Sequence, residues 1–465
     1  MKTRLHYILP AALVALASCS SDTDFTQEDL RQAQLQQQDV PVAFSTYLGT
    51  AGTTRATNPA SNGFDIDTDA KLQTSGFGVF AYLHTGTYGG NTAPNFMYNQ
   101  QMTWSAPAWT YSPVKYWPNG TDAANAANSP SNTATEGSTQ YLSFFAYAPY
   151  VSSNATASDD GIISLPTNSG ETRPLITYKL PSKPTASNTV DLLWGLRGQN
   201  TYQEADGTDN SVATLGTVYN TDLTKQTTTE RVKFLFKHAL AKIGAIKVVA
   251  DIDGNSGAPA TTGFGLLDGT TLITLEEISI KDNGGTVNTK GDFDISQGTW
   301  SNLTKATSGA DVAADIKAKS SRTTGITASL WELESGNPTY SSGWTSPGTG
   351  VPTSTPADIY NSGYSPIMFI PGSNQKLDIT VKYVVRTYDA ALNAEKASGG
   401  EGTWSKVTQT ITNTVSLPEL QPNTSYSLVM HLGLTSVKFS AEVSSWTDAG
   451  TPEVIWLPSN VVPAP

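Results

Sequence analysis

The 465-residue chain has a single cysteine, Cys19, so no intramolecular disulfide and no cysteine-built metal cluster can form. Histidine is scarce too, at four residues, and His6 lies in the basic and apolar opening stretch. The others, His84, His238 and His431, stand far apart within β-patterned segments. His238 falls in phase with apolar neighbours, which reads as a hydrogen-bonded core histidine rather than a metal ligand or general base. HExxH, GxSxG, Walker-type and GxGxxG signatures are all missing, and with them any nucleophile–base pair or phosphate cradle. The chain therefore reads as a non-enzyme that needs no cofactor. The apolar stretch LPAALVALAS is too short to span a bilayer. Positive charge is in deficit, with 28 Lys and Arg against 40 Asp and Glu. The resulting net charge of -12 argues against nucleic acid or an anionic membrane surface as partner.

Few segments carry a helical period. Runs rich in β-branched and aromatic residues recur instead, bounded by Gly, Pro, Asn and Ser, and the class is all-β with long polar loops. The length suits two domains. VPVAFSTYL (40–48) alternates Val40, Val42, Phe44 and Leu48 on one face, a half-buried strand. It is followed at once by the small, polar GTAGTTRATN, which presents a lone Arg55 before Ala56. GFGVFAYLH, FMYNQQMTW, YLSFFAYAPY, PLITYKL and VDLLWGL continue the strands, and NGTDAANAANSPSNTATEGST reads as a surface loop. The second half restarts with VKFLFKHAL and continues through KLDITVKYVV to a hairpin of YSLVMHLGL and SVKFSAEVSSW. The expected organisation is a leader over 1–19, a glutamine-rich tether over 20–39, a β-sandwich over 40–228, a second over 229–446, and a tail over 447–465.

DIDTD (65–69) and DIDGN (251–255) place oxygen ligands at alternate positions, as calcium loops do. Neither has Gly at the sixth position or Glu at the twelfth, and both read as solvated turns. Trp104, Trp109, Tyr111, Tyr116 and Trp117 cluster in sequence, either as a glycan-stacking platform or as inter-sheet packing. Residues Leu16-Ala17-Ser18-Cys19 end the apolar stretch and resemble the bacterial lipobox, in which the cysteine is lipidated and becomes the mature N-terminus. Membrane contact would then run only through the lipid at Cys19. The acidic CSSDTD that follows looks like an outer-membrane surface-export signal.

Taken in order, the lipobox, TTRAT after an early strand, WTYSPVKYWP, FFAYAPY, DLLWGL and FKHALAKI resemble the fimbrillin family, the type V pilins. The resemblance implies two transthyretin-like β-sandwich domains in tandem and export as an outer-membrane lipoprotein. It implies cleavage by an Arg-specific extracellular protease, here between Arg55 and Ala56, and loss of the strand carrying Val42, Phe44 and Leu48. The vacated groove would take a donor strand from another copy or a related pilin, building a cell-surface fimbrium. The tail offers a donor in Val454, Ile455, Trp456 and Leu457; the alternative is that it closes its own domain. A host glycan or protein is the expected receptor. Two alternatives remain: a glycan-binding surface lipoprotein, and a tip or anchor subunit.

Overall fold

A computed structural model of the chain describes residues 40–48, 65–90, 93–118, 140–152, 160–168, 173–182, 184, 188–197, 219–223, 231–250, 271–313, 316–317, 356–358, 367–388, 404–434, 436–445, 453–456 and 459–460. Four sheets pair off into two sandwiches, as the all-β reading expects.

The largest sheet runs β1 (Phe44–Tyr47), β10 (Val232–His238), β8 (Leu193–Arg197), β5 (Gln140–Ala148), β2 (Phe77–Thr85), β3 (Met97–Ser105) and β4 (Ala108–Thr110), with β9 (Asn220–Leu223) also on β5. Both of its faces are buried, which explains near-continuous apolar runs such as YLSFFAYA. On one face Phe77, Val79, Phe144 and Phe234 pack with the residues of β1. On the other, Phe80, Tyr82, Phe145 and Tyr147 pack against a second sheet. That sheet runs β14 (Thr299–Lys305), β13 (Asn288–Asp294), β7 (Leu175–Lys179) and β6 (Gly161–Ser164). Gly195 of β8 allows close approach at the centre: a Cβ there would lie 2.7 Å from the Phe234 ring.

The second sandwich pairs β16 (Ala357–Asp358), β11 (Ala241–Ala250), β20 (Thr424–Leu432), β21 (Val437–Ser445) and β22 (Glu453–Trp456), with β17 (Ile367–Phe369) also on β11. Facing it are β15 (Ile316–Lys317), β12 (Thr271–Asp282), β18 (Lys376–Tyr388), β19 (Trp404–Ser416) and β23 (Ser459–Asn460). Leu377, Ile379, Val381 and Tyr383 all face inward from β18, matching the alternation of KLDITVKYVV.

Two expectations need correction. A division near 228 assigns Val232–His238 to the second sandwich, yet β10 hydrogen-bonds with β8 and β1 in the first. The hairpin β13–β14 also crosses over, since β13 pairs antiparallel with β7. Phe234 and Phe236 complete the first core, and Phe293 seals its far face, so apolar burial overrides chain order. DIDTD, read as a solvated turn, leads into a short helix α1 (Asp69–Ser75). The Thr68 hydroxyl caps it by accepting from the Lys71 amide at 3.3 Å, and the amide of Gly76, at φ 64°, closes it on the Leu72 carbonyl. Asp65 itself is fully buried.

Candidate functional site

The chain from Val40 to Leu48 lies in a slot with hydrogen-bonding walls on both sides. On one side β1 pairs in parallel with β10, in the register Phe44↔Val232 to Tyr47↔Leu235. On the other side lies the segment after β4, through an antiparallel bridge between Pro41 and Tyr116. The main chain is gripped alternately: Trp117 N–H donates to Val40 O at 2.9 Å, Val42 N–H to Lys115 O at 2.8 Å, and Val232 N–H to Ala43 O at 2.7 Å. The large sheet thus curls until β1 closes the seam between its two ends.

Val40, Val42, Phe44 and Leu48 point into the core and are between 2% and 7% exposed, as their alternation expects. The Phe44 ring sits 5.7 Å from those of Tyr111 and Phe144, edge-on, and stacks at 6.0 Å on Phe234. Thr46, the fourth inward position, is half-buried and polar. Its hydroxyl accepts a hydrogen bond from the indole N–H of Trp109 at 2.9 Å. The Tyr111 hydroxyl donates to Val42 O at 2.7 Å. Burial pushes that phenol up to about 12, so it stays protonated and a donor at neutral pH.

The aromatic run is therefore a clasp on β1. Trp109 and Trp117 are buried in the first core, where neither can offer a face to a sugar ring. Trp104 is half-buried and meets Trp109 edge-on at 5.3 Å, while Tyr116 is the most exposed of the five. The burial of Trp109 and Trp117 favours the packing reading. The clustering of these aromatics was legible in the sequence; their grip on Val42 and Thr46, some sixty residues away, was not.

Just beyond the slot the chain is pinned. Ile66 N–H donates to the Asp191 carboxylate at 2.8 Å, and that carboxylate lies 3.0 Å from Nδ1 of buried His238. Asp65 takes Lys71 at 3.4 Å and the buried Lys242 at 3.5 Å. Burial lowers the pKa of Lys242, against the opposing pull of Asp65. His238 is thus a core histidine with a carboxylate partner. His84 and His431 bond to Ser143 and Ser440 respectively. Among the described residues no group of His, Cys, Asp and Glu could hold a metal ion.

The C-terminal tail pairs with its own subunit. Val454, Ile455 and Trp456 lie in β22, an antiparallel edge strand on β21 in the register Ala441↔Ile455. Two residues further, β23 pairs with the edge of the opposite sheet, Val415↔Ser459. Cys19, Arg55, Ala56, Leu457 and the DIDGN stretch lie outside the described residues.

No family model matches the chain. It is 25% identical over 412 residues to the fimbrium subunit Fim1C of Phocaeicola vulgatus, covering 84% of this chain and 87% of that one. In fold it resembles a crystal structure of a fimbrial protein from Bacteroides vulgatus, with a TM-score of 0.54 and 20% identity over 88% of this chain and 99% of the other. This chain of two sandwiches with a slotted first strand is thus similar in sequence to a fimbrium subunit along most of both chains, and it shares its fold with a fimbrial protein.

Proposed function

We propose that this chain is a structural pilin, a fimbrial subunit that assembles by strand exchange at the cell surface. On this reading it is exported as a lipoprotein through Cys19 and reaches the outer membrane. An Arg-specific protease then cuts between Arg55 and Ala56, β1 leaves, and the tail of another copy enters the slot.

The observation that carries this reading is the slot itself. The strand filling it ends at Leu48, seven residues before Arg55, while the chain is pinned again from Asp65 onward. A cut between those points frees only β1 and its approach. Parallel pairing is slightly weaker per residue than antiparallel, which eases departure. The vacated slot would expose apolar pockets and unpaired amides and carbonyls on both walls, and an incoming strand satisfies both. Burying four large side chains there is worth roughly 1.5–3 kcal/mol each. Because slot and tail lie at different places on the subunit, the contact is head-to-tail and builds a filament. The tail suits the donor role because it occupies the edges of both sheets of its own sandwich, so it can leave without breaking a central strand.

The test is to treat the full chain with an Arg-specific protease, sequence the new N-terminus, and run unheated gels. The expected result is a terminus at Ala56 and a ladder of assemblies, both abolished by Arg55→Ala. A chain cut at that bond that stays a monomer with its tail intact overturns the proposal.

A further inference from the structure

We infer that Trp109 is the specificity-determining residue of the slot: its indole N–H requires a hydrogen-bond acceptor at the Thr46 position of any strand that enters, and Ser459 in the tail of a second copy supplies it. This rests on the strand-exchange reading above and deepens it by naming what the slot reads.

Most contacts in the slot are blind to sequence. The main-chain bonds to Val40, Val42 and Ala43, and the Tyr111 hydroxyl on Val42 O, hold any strand. The apolar pockets accept any residue of about the right size. Hydrophobic pockets discriminate weakly, whereas a site built around a hydrogen bond strongly rejects a ligand that cannot make it. In this slot the Trp109–Thr46 bond is such a contact, a side-chain donor in the core facing a side-chain acceptor on the removable strand. Trp109 is only 7% exposed, so an apolar residue in place of Thr46 leaves its N–H buried and unpaired.

The tail EVIWLPSNVVPAP (453–465) contains one hydroxyl, at Ser459. Leu457 and Val461 stand two residues to either side of it, as Phe44 and Leu48 flank Thr46, and Ile455 then corresponds to Val42. Reversing the strand direction leaves Ser459 in the same place between the same neighbours. The other phase of the tail offers Asn460 as acceptor only by setting Pro458 or Val462 where Phe44 belongs. In either direction that phase sets Pro458 in one of the two pockets that Leu457 fills in the Ser459 phase, and Pro458 also interrupts main-chain pairing. In the unassembled subunit Ser459 is paired with Val415, so the tail must first leave its own sheet.

The experiment compares full chains cleaved at Arg55 by the initial rate of ladder growth. Ser459→Val is expected to slow growth about tenfold, the effect of one unpaired buried donor. Ser459→Thr, which keeps the acceptor oxygen, rescues it. In a Trp109→Phe background, Ser459→Val makes no further difference, because there is no donor left to satisfy. Growth of Ser459→Val at the wild-type rate, or equal slowing with and without Trp109, overturns the inference while leaving strand exchange standing. A wild-type chain that never assembles overturns strand exchange and this inference together. Should Trp109→Phe fail to fold by near-ultraviolet circular dichroism, synthetic tail peptides replace it as the readout. The wild-type tail peptide must then inhibit wild-type assembly about tenfold better than the same peptide carrying Ser459→Val, and equal inhibition overturns the inference.

Discussion

Replacing Phe44 with alanine probes how firmly β1 is built into the core, and whether it later leaves. The ring is 2% exposed and lies within 6.0 Å of three other aromatic rings, those of Tyr111, Phe144 and Phe234. Truncating a core phenylalanine costs about 3–5 kcal/mol, through lost burial plus the cavity left behind. Here one wall of the cavity is an end strand of the sheet, which can settle inward, so about 3 kcal/mol is expected. Urea unfolding of the uncut chain followed by tryptophan fluorescence reads this directly, because Trp109 and Trp117 both hold the strand. If strand exchange takes place as proposed, the same substitution in a chain cut at Arg55 and assembled should leave stability unchanged, because Phe44 would depart with the strand. A loss of about 0.5 kcal/mol or less in the uncut chain, the range of surface substitutions, would refute the core role of β1. An equal loss in the assembled form would show that the strand never leaves.

Lys242→Met removes a buried ammonium 3.5 Å from Asp65, leaving it with Lys71 among the described residues; thermal unfolding should show a loss of about 3 kcal/mol at neutral pH. Gly195→Ala drives a methyl group to 2.7 Å from the Phe234 ring, and the overpacked sheet should lose about 1–3 kcal/mol of stability in urea unfolding. Burial raises the Tyr111 phenol from 10.0 to about 12, so its contribution is complete below pH 10 and is lost as pH rises toward 12, where only the unfolded chain readily ionises. Urea midpoints should therefore fall between about pH 10 and about pH 12, and fall less in Tyr111→Phe.

The sequence carried the strands well wherever one face is apolar and the other polar. KLDITVKYVV (376–385) and the first strand, Val40 to Leu48, show their inward residues in the sequence, because a period of two survives in any β environment. The chain's crossing between sandwiches was not legible. Val232–His238 alternates equally well for either sheet, and only the packing of Phe234 and Phe236 decides that it belongs with β1. The helix Asp69–Ser75 is too short to show a period, and the buried role of Asp65 depends on Lys242, far along the chain. The aromatic run from Trp104 to Trp117 was visible as a cluster, but its purpose required knowing that Val42 and Thr46 lie beneath it. Spacing along a chain cannot report such contacts, because they are set by how sheets curl.

Native mass spectrometry of the cut and assembled chain shows whether the tail of another copy has replaced β1, as proposed. Strand exchange gives assemblies whose mass is a multiple of residues 56–465, with the fragment bearing Val42, Phe44 and Leu48 released into solution. Assemblies in which every copy retains that fragment, bound but cut, would contradict it.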